Sequence, residues 1–88
     1  MICTLDQLKN KNEATIVNLN CDHVTQQQFL EEGFIPGTKI SIDGVSPFGG
    51  PILCLLRNCK VALRRQDAES ITVELYFFPL TTHYESSI

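Results

Sequence analysis

Gly33-Phe34-Ile35-Pro36-Gly37-Thr38 joins a helix exit, an apolar step and a tight turn in six residues. Gly33 suits the position just past a helix, where the backbone turns left-handed and a Cβ is unwelcome. Pro36-Gly37 suits the centre of a type II turn: proline presets the first φ and glycine supplies the positive second one. Upstream, the apolar spacing is helical. Downstream, Lys39-Ile40-Ser41-Ile42-Asp43 alternates with period two, the mark of a half-buried strand. The stretch therefore converts one short helix into the first long strand of a sheet.

The helix is expected to start at Thr25, with Gln28 completing a capping box. Phe29 and Leu30 face inward. With Gly33 just past the end, Phe29 and Phe34 are the pair that touches in a Schellman motif. If Phe34 packs on Phe29, Ile35 is left exposed beside the Pro-Gly turn. A rigid apolar knob of that kind suits a docking surface.

On the N-terminal side, Thr4 to Leu8 reads as one helical turn, with Thr4 and Gln7 as a capping-box pair. Ala14–Leu19 reads as a strand whose imperfect alternation predicts a bulge or strong twist. On the C-terminal side, Ser46-Pro47-Phe48-Gly49-Gly50-Pro51 is a rigid-ended loop. It lacks a P-loop pattern. Ile52–Leu56 and Cys59–Leu63 form a hairpin around Arg57-Asn58. A two-residue turn sets Leu56 opposite Cys59, Cys54 opposite Val61 and Ile52 opposite Leu63, all on the core face. Leu53 and Leu55 then point outward. Arg64–Ser70 allows one helical turn, and Ile71–Leu75 is the last strand.

The chain has 88 residues, enough for one domain with a thin core. Its net charge is −3, with no basic stripe, which argues against a nucleic-acid binder. No signal peptide is evident and the longest apolar run, Ile52–Leu56, is too short to span a membrane, so a cytoplasmic protein is expected. Cys3, Cys21, Cys54 and Cys59 have neither C-x-x-C nor zinc-site spacing, so four free thiols are expected. Cys21-Asp22-His23 holds the potential metal ligands closest in sequence. Adjacent residues of one loop seldom converge on one ion, so no metal site and no cofactor are assigned. No nucleophile is paired with a base, so no catalytic residue is assigned. Arg64 and Arg65 suit either a solvated turn or an acidic partner.

Four or five short strands with one small α-helix and short helical turns predict a mainly β fold, a small closed or nearly closed barrel. Here the pattern resembles the FeoA family. Residues 29–40 match its helix-Gly-apolar-Pro-Gly-Thr-strand signature. Pro47–Ile52 looks like its Pro-x-Gly-Asp-Pro-Ile loop. Val61–Val73 is similar to its closing Leu-Arg-x-x-Glu-Ala-x-x-Ile-x-Val segment. The chain departs from the pattern at Asn10-Lys11, Gly50 and Asn58, and in the tail after Leu75.

The resemblance implies an SH3-like β-barrel. It also implies a non-enzymatic cytosolic accessory protein of bacterial ferrous iron uptake, docking on the cytosolic GTPase domain of the FeoB transporter. Expected boundaries are residues 1–75 for the barrel and 76–88 for a partly apolar tail. Expected partner-binding residues are Phe34, Ile35, Pro36, Phe48, Arg64 and Arg65. The alternative is a metal-sensing module like the tails of metal-dependent repressors, although no helix-turn-helix precedes this domain. The tail segment Tyr76–Leu80 is expected to cover Leu53 and Leu55, within its own chain or across a homodimer.

Overall fold

A computed structural model describes residues 1–9, 12–57 and 59–75. Six strands form one antiparallel sheet: β1 (Ile2–Thr4), β2 (Glu13–Leu19), β3 (Lys39–Val45), β4 (Ile52–Leu56), β5 (Cys59–Leu63) and β6 (Ile71–Glu74). A 3-10 turn covers Leu5–Gln7. Helix α1 spans His23–Glu32 and the short helix α2 spans Arg65–Ala68. The strand order is β1-β6-β2-β3-β4-β5. Among the described residues no ladder joins β1 to β5, so the sheet is curled but not closed by hydrogen bonds.

The alternation seen in the sequence places one face of the sheet inward. Ile16 of β2, Ile40 and Ile42 of β3, Cys54 of β4 and Ile71 and Val73 of β6 are all but inaccessible to solvent. Leu5 and Phe29 enter the same core from the 3-10 turn and from α1. Two irregularities bend the sheet around them. The register shifts between Ile16 and Asn18 on β2, as the broken alternation there predicts, and again between Ile42 and Gly44 on β3. Each such bulge increases local twist, which lets a small sheet wrap its own core.

The β4–β5 hairpin has the expected register, with Leu56 opposite Cys59, Cys54 opposite Val61 and Ile52 opposite Leu63. Cys59 is nevertheless exposed, contrary to its expected core placement. It begins an edge strand, so on that side no further strand is present among the described residues to cover it. Arg57 takes φ 52°, so the left-handed turn begins at the arginine. Asn58, to which the sequence assigns that conformation, lies outside the described residues.

Two further expectations change. β1 adds a strand to the expected set, its three residues being too few to show a period in the sequence. It pairs with β6 through Ile2–Glu74, Cys3–Val73 and Thr4–Thr72. Helix α1 begins at His23 with Asp22 as N-cap, not at Thr25. The Asp22 carbonyl accepts from the Gln26 N–H at 2.9 Å, so the first helical turn already encloses Thr25. Gln26 also donates its side-chain amide to the Leu19 carbonyl at 2.9 Å, which ties the first turn to the end of β2. The tail from Tyr76 onward, expected to cover Leu53 and Leu55, lies outside the described residues.

Candidate functional site

Helix α1 ends on Gly33 at φ 108°. The Phe34 N–H reaches back to the Phe29 carbonyl at 2.9 Å, the long bond of a Schellman motif. That bond brings the two rings edge to face with centroids 5.8 Å apart. Phe34 is fully buried. It therefore touches no partner directly and serves the site as the anchor beneath it, which removes it from the expected contact set.

The Ile35 N–H folds back onto the Gly33 carbonyl at 2.8 Å, a tight turn around buried Phe34, and Ile35 itself is 45% exposed. The Thr38 N–H closes the turn onto the Ile35 carbonyl at 3.0 Å, with Gly37 at φ 96°. The Gly37 N–H donates to the Ile16 carbonyl at 2.7 Å, and the Ile16 N–H donates to the Thr38 carbonyl at 3.0 Å. These two bonds clamp the turn to β2. Ile35 and Pro36 are thus an apolar surface on a backbone held from both sides, and little ordering entropy remains to be lost on contact.

Phe48 is the second exposed apolar feature. Its side chain is wholly in solvent at the tip of the β3–β4 loop. Phe48 takes φ 57° and Gly49 φ 76°, and the Gly50 N–H donates to the Pro47 carbonyl at 3.3 Å. Two successive positive φ angles are the pattern of a type I′ turn, which favours Asn or Gly over an aromatic residue. A bulky residue there costs on the order of 1–3 kcal/mol, and such strain gathers at functional positions.

The arginines diverge. Arg64 caps α2 and its Nε lies 3.3 Å from the Asp67 carboxylate. It borders an open groove of ≈ 350 Å³ between α1 and the end of β5, lined also by Gln28, Glu32 and Ala62. Arg65 is half-buried, and its Nε is enclosed without a hydrogen-bond partner among the described residues.

The expected contact residues do not form one cluster. Ile35 and Pro36 precede β3, whereas Phe48 follows it, and a seven-residue strand is roughly 20 Å long. Arg64 follows Leu63, which pairs with Ile52, itself opposite Val45 at the far end of β3. Phe48 and Arg64 therefore share one end of the sheet and the Ile35-Pro36 turn occupies the other. Sequence reading identified each feature through its turn chemistry. It could not tell which end of the sheet each would occupy.

All four cysteines are free. Burial pushes the Cys54 thiol up to about 11. Cys21 packs against the core, and burial followed by the carboxylates of Asp22 and Asp67 raises its thiol above the ordinary value. Among the described residues no group of three or more His, Cys, Asp or Glu side chains is placed to hold a metal ion. None of the described helices is long and apolar enough to cross a membrane.

A family model of the FeoA domain matches residues 3–75. The chain is 34% identical over 71 residues to a protein of Porphyromonas gingivalis named as a fusion of Fe(2+) transport protein A and the Fe(2+) transporter FeoB. That match covers 81% of this chain and 8% of the fusion protein's length. Among solved structures, a FeoA-like protein of Clostridium acetobutylicum superposes with a TM-score of 0.79 at 26% identity, covering 89% of this chain and 91% of the other. A FeoA of Stenotrophomonas maltophilia, solved with zinc and described as a procaryotic SH3 domain protein, gives a TM-score of 0.70 at 24% identity over 81% of this chain and 88% of that one.

Proposed function

The chain belongs to the FeoA domain family, and from that premise we propose that it is a non-enzymatic, cytosolic accessory protein of ferrous iron uptake that docks on the cytosolic GTPase domain of a FeoB transporter. The fusion of the two proteins in one polypeptide in P. gingivalis supports association with FeoB, because fused partners act side by side.

The observation that carries the docking surface is the exposed Ile35-Pro36 turn, clamped to β2 and anchored by Phe34. Phe48 and Arg64 form a second contact at the other end of β3. A standard interface buries about 800 Å² on each partner, wide enough to include both ends of so small a domain. Arg64 and Arg65 would meet acidic groups of the partner at the second contact.

Ile35→Asp places a charge on the docking knob without entering the core. The expected result is loss of capture by the isolated GTPase domain of FeoB and loss of iron-uptake complementation, with an unchanged melting temperature. Capture at wild-type strength by folded Ile35→Asp protein refutes this placement. Loss of capture in Phe48→Ser alone moves the docking surface to the other end of the sheet.

A further inference from the structure

The β4–β5 register sets Leu56 opposite Cys59 across a two-residue turn, which makes them a hydrogen-bonded pair. Bonded and non-bonded pairs alternate along an antiparallel ladder. Cys59, Val61 and Leu63 therefore bond to β4, while Lys60 and Ala62 turn their N–H and C=O groups the other way. That side is the free edge of the sheet. β5 ends the strand order, and among the described residues neither Lys60 nor Ala62 finds a backbone partner beyond it. Both residues are exposed. A lysine on an edge strand ordinarily guards it against pairing. Here Lys60 pairs instead with Asp43 of β3 at 3.2 Å, which leaves the edge unguarded.

Helix α1 stands across from this edge, and between them runs the open groove of ≈ 350 Å³ that Arg64 borders. One wall includes Ala62 and Arg64, and the other is Thr25, Gln28, Phe29 and Glu32. Those four helix positions are spaced i, i+3, i+4 and i+7, a single face of α1. Phe29 is buried, whereas Glu32 is exposed. A strand edge with free backbone groups is what an extended peptide adds to, and the surrounding side chains select its sequence.

The groove also selects a charge. Ion pairs among the described residues join Lys60 to Asp43 and Arg64 to Asp67, so Glu32 has none. Glu32 ends α1, whose last turn carries no basic residue, and the helix dipole disfavours a carboxylate there. A cation in the groove satisfies both the carboxylate and the C-terminal end of the helix.

We propose that the groove between β5 and α1 receives a short extended segment of another protein, paired to Lys60 and Ala62 as an added strand, with a lysine or arginine side chain set against Glu32. The site uses neither Ile35 nor Phe48, and its occupancy is measured without FeoB. This proposal and the docking proposed above therefore stand or fall separately.

The probe is a short blocked peptide alternating valine and threonine around one central lysine. It is titrated into the full-length chain and followed by amide NMR, hydrogen exchange and light scattering. Expected are shifts at β5, Gln28 and Glu32, and slowed exchange at the Lys60 and Ala62 amides of a monomer. A peptide with glutamate at its centre should bind at least about fivefold more weakly. Glu32→Lys, at an exposed helix position, should reverse that preference. Ala62→Pro removes an outward N–H where an edge strand tolerates proline, and should abolish binding. If that variant does not fold, the charge reversal and the exchange data still decide. No binding by the lysine peptide, binding that leaves the two amides unprotected, or equal binding of the two peptides overturns the proposal. So does slow exchange of these amides in the free monomer, because the edge is then already paired. Protection that appears only as the chain dimerises assigns the edge to a second copy and overturns it as well.

Discussion

The Phe29 and Phe34 rings meet at 70° with centroids 5.8 Å apart, across the glycine that ends α1. One ring belongs to the helix and the other to the exit, and both are buried. The contact therefore fixes the angle at which the chain leaves the helix, and with it the outward direction of Ile35.

Phe34→Ala should remove this anchor. Truncating a buried phenylalanine costs about 3–5 kcal/mol, a large part of the stability of a domain this small. Urea unfolding is the measurement. Ile35→Ala, at the more exposed position, should change the midpoint little, and equal losses for the two variants would contradict this difference in burial.

Gly37→Val should cost more than ~1 kcal/mol through strain alone. A Cβ at this glycine meets nothing within 4 Å, so the penalty comes from φ 96° and not from a clash. Gly37→Asn should therefore recover most of the loss, since asparagine tolerates left-handed backbone. Thermal melts of the pair separate strain from crowding.

Phe48→Asn should stabilise the protein by roughly 0.5–1 kcal/mol, because it relieves a strained aromatic residue that packs on nothing. The same variant should weaken capture by the FeoB GTPase domain. A gain in melting temperature with a loss of binding would mark Phe48 as a position held for contact. A lower melting temperature would show that the ring supports its loop.

Cys54 should make stability depend on alkaline pH. The folded thiol titrates near 11 and the unfolded one near 9, so the folded state holds its proton more tightly. Its contribution is complete below pH 9 and is lost as pH rises from 9 through 11. Cys54→Ala should lower stability at pH 8 and flatten the decline between pH 9 and 11. In native protein near pH 8, a thiol reagent should label exposed Cys59 first and reach Cys54 only on unfolding.

Local chemistry alone settled the helix exit, the type II turn, the bulge in β2 and the hairpin register. Each depends on residues a few positions apart: Gly33 with Phe29 and Phe34, Pro36 with Gly37, Leu56 with Cys59. The alternation of β3 and β6 showed which residues face the core, because a strand with one buried face has no other stable arrangement. Tertiary structure decided the rest. β1 is too short to show a period and exists because β6 offers it a partner. The early start of α1 comes from the Asp22 carbonyl and from the bond between Gln26 and the end of β2. Cys59 is exposed because β5 is an edge, and edge position belongs to the strand order rather than to the strand. The same holds for the candidate site: turn chemistry marks Ile35, Pro36 and Phe48 as exposed features, but only the path of β3 places them at opposite ends of the sheet.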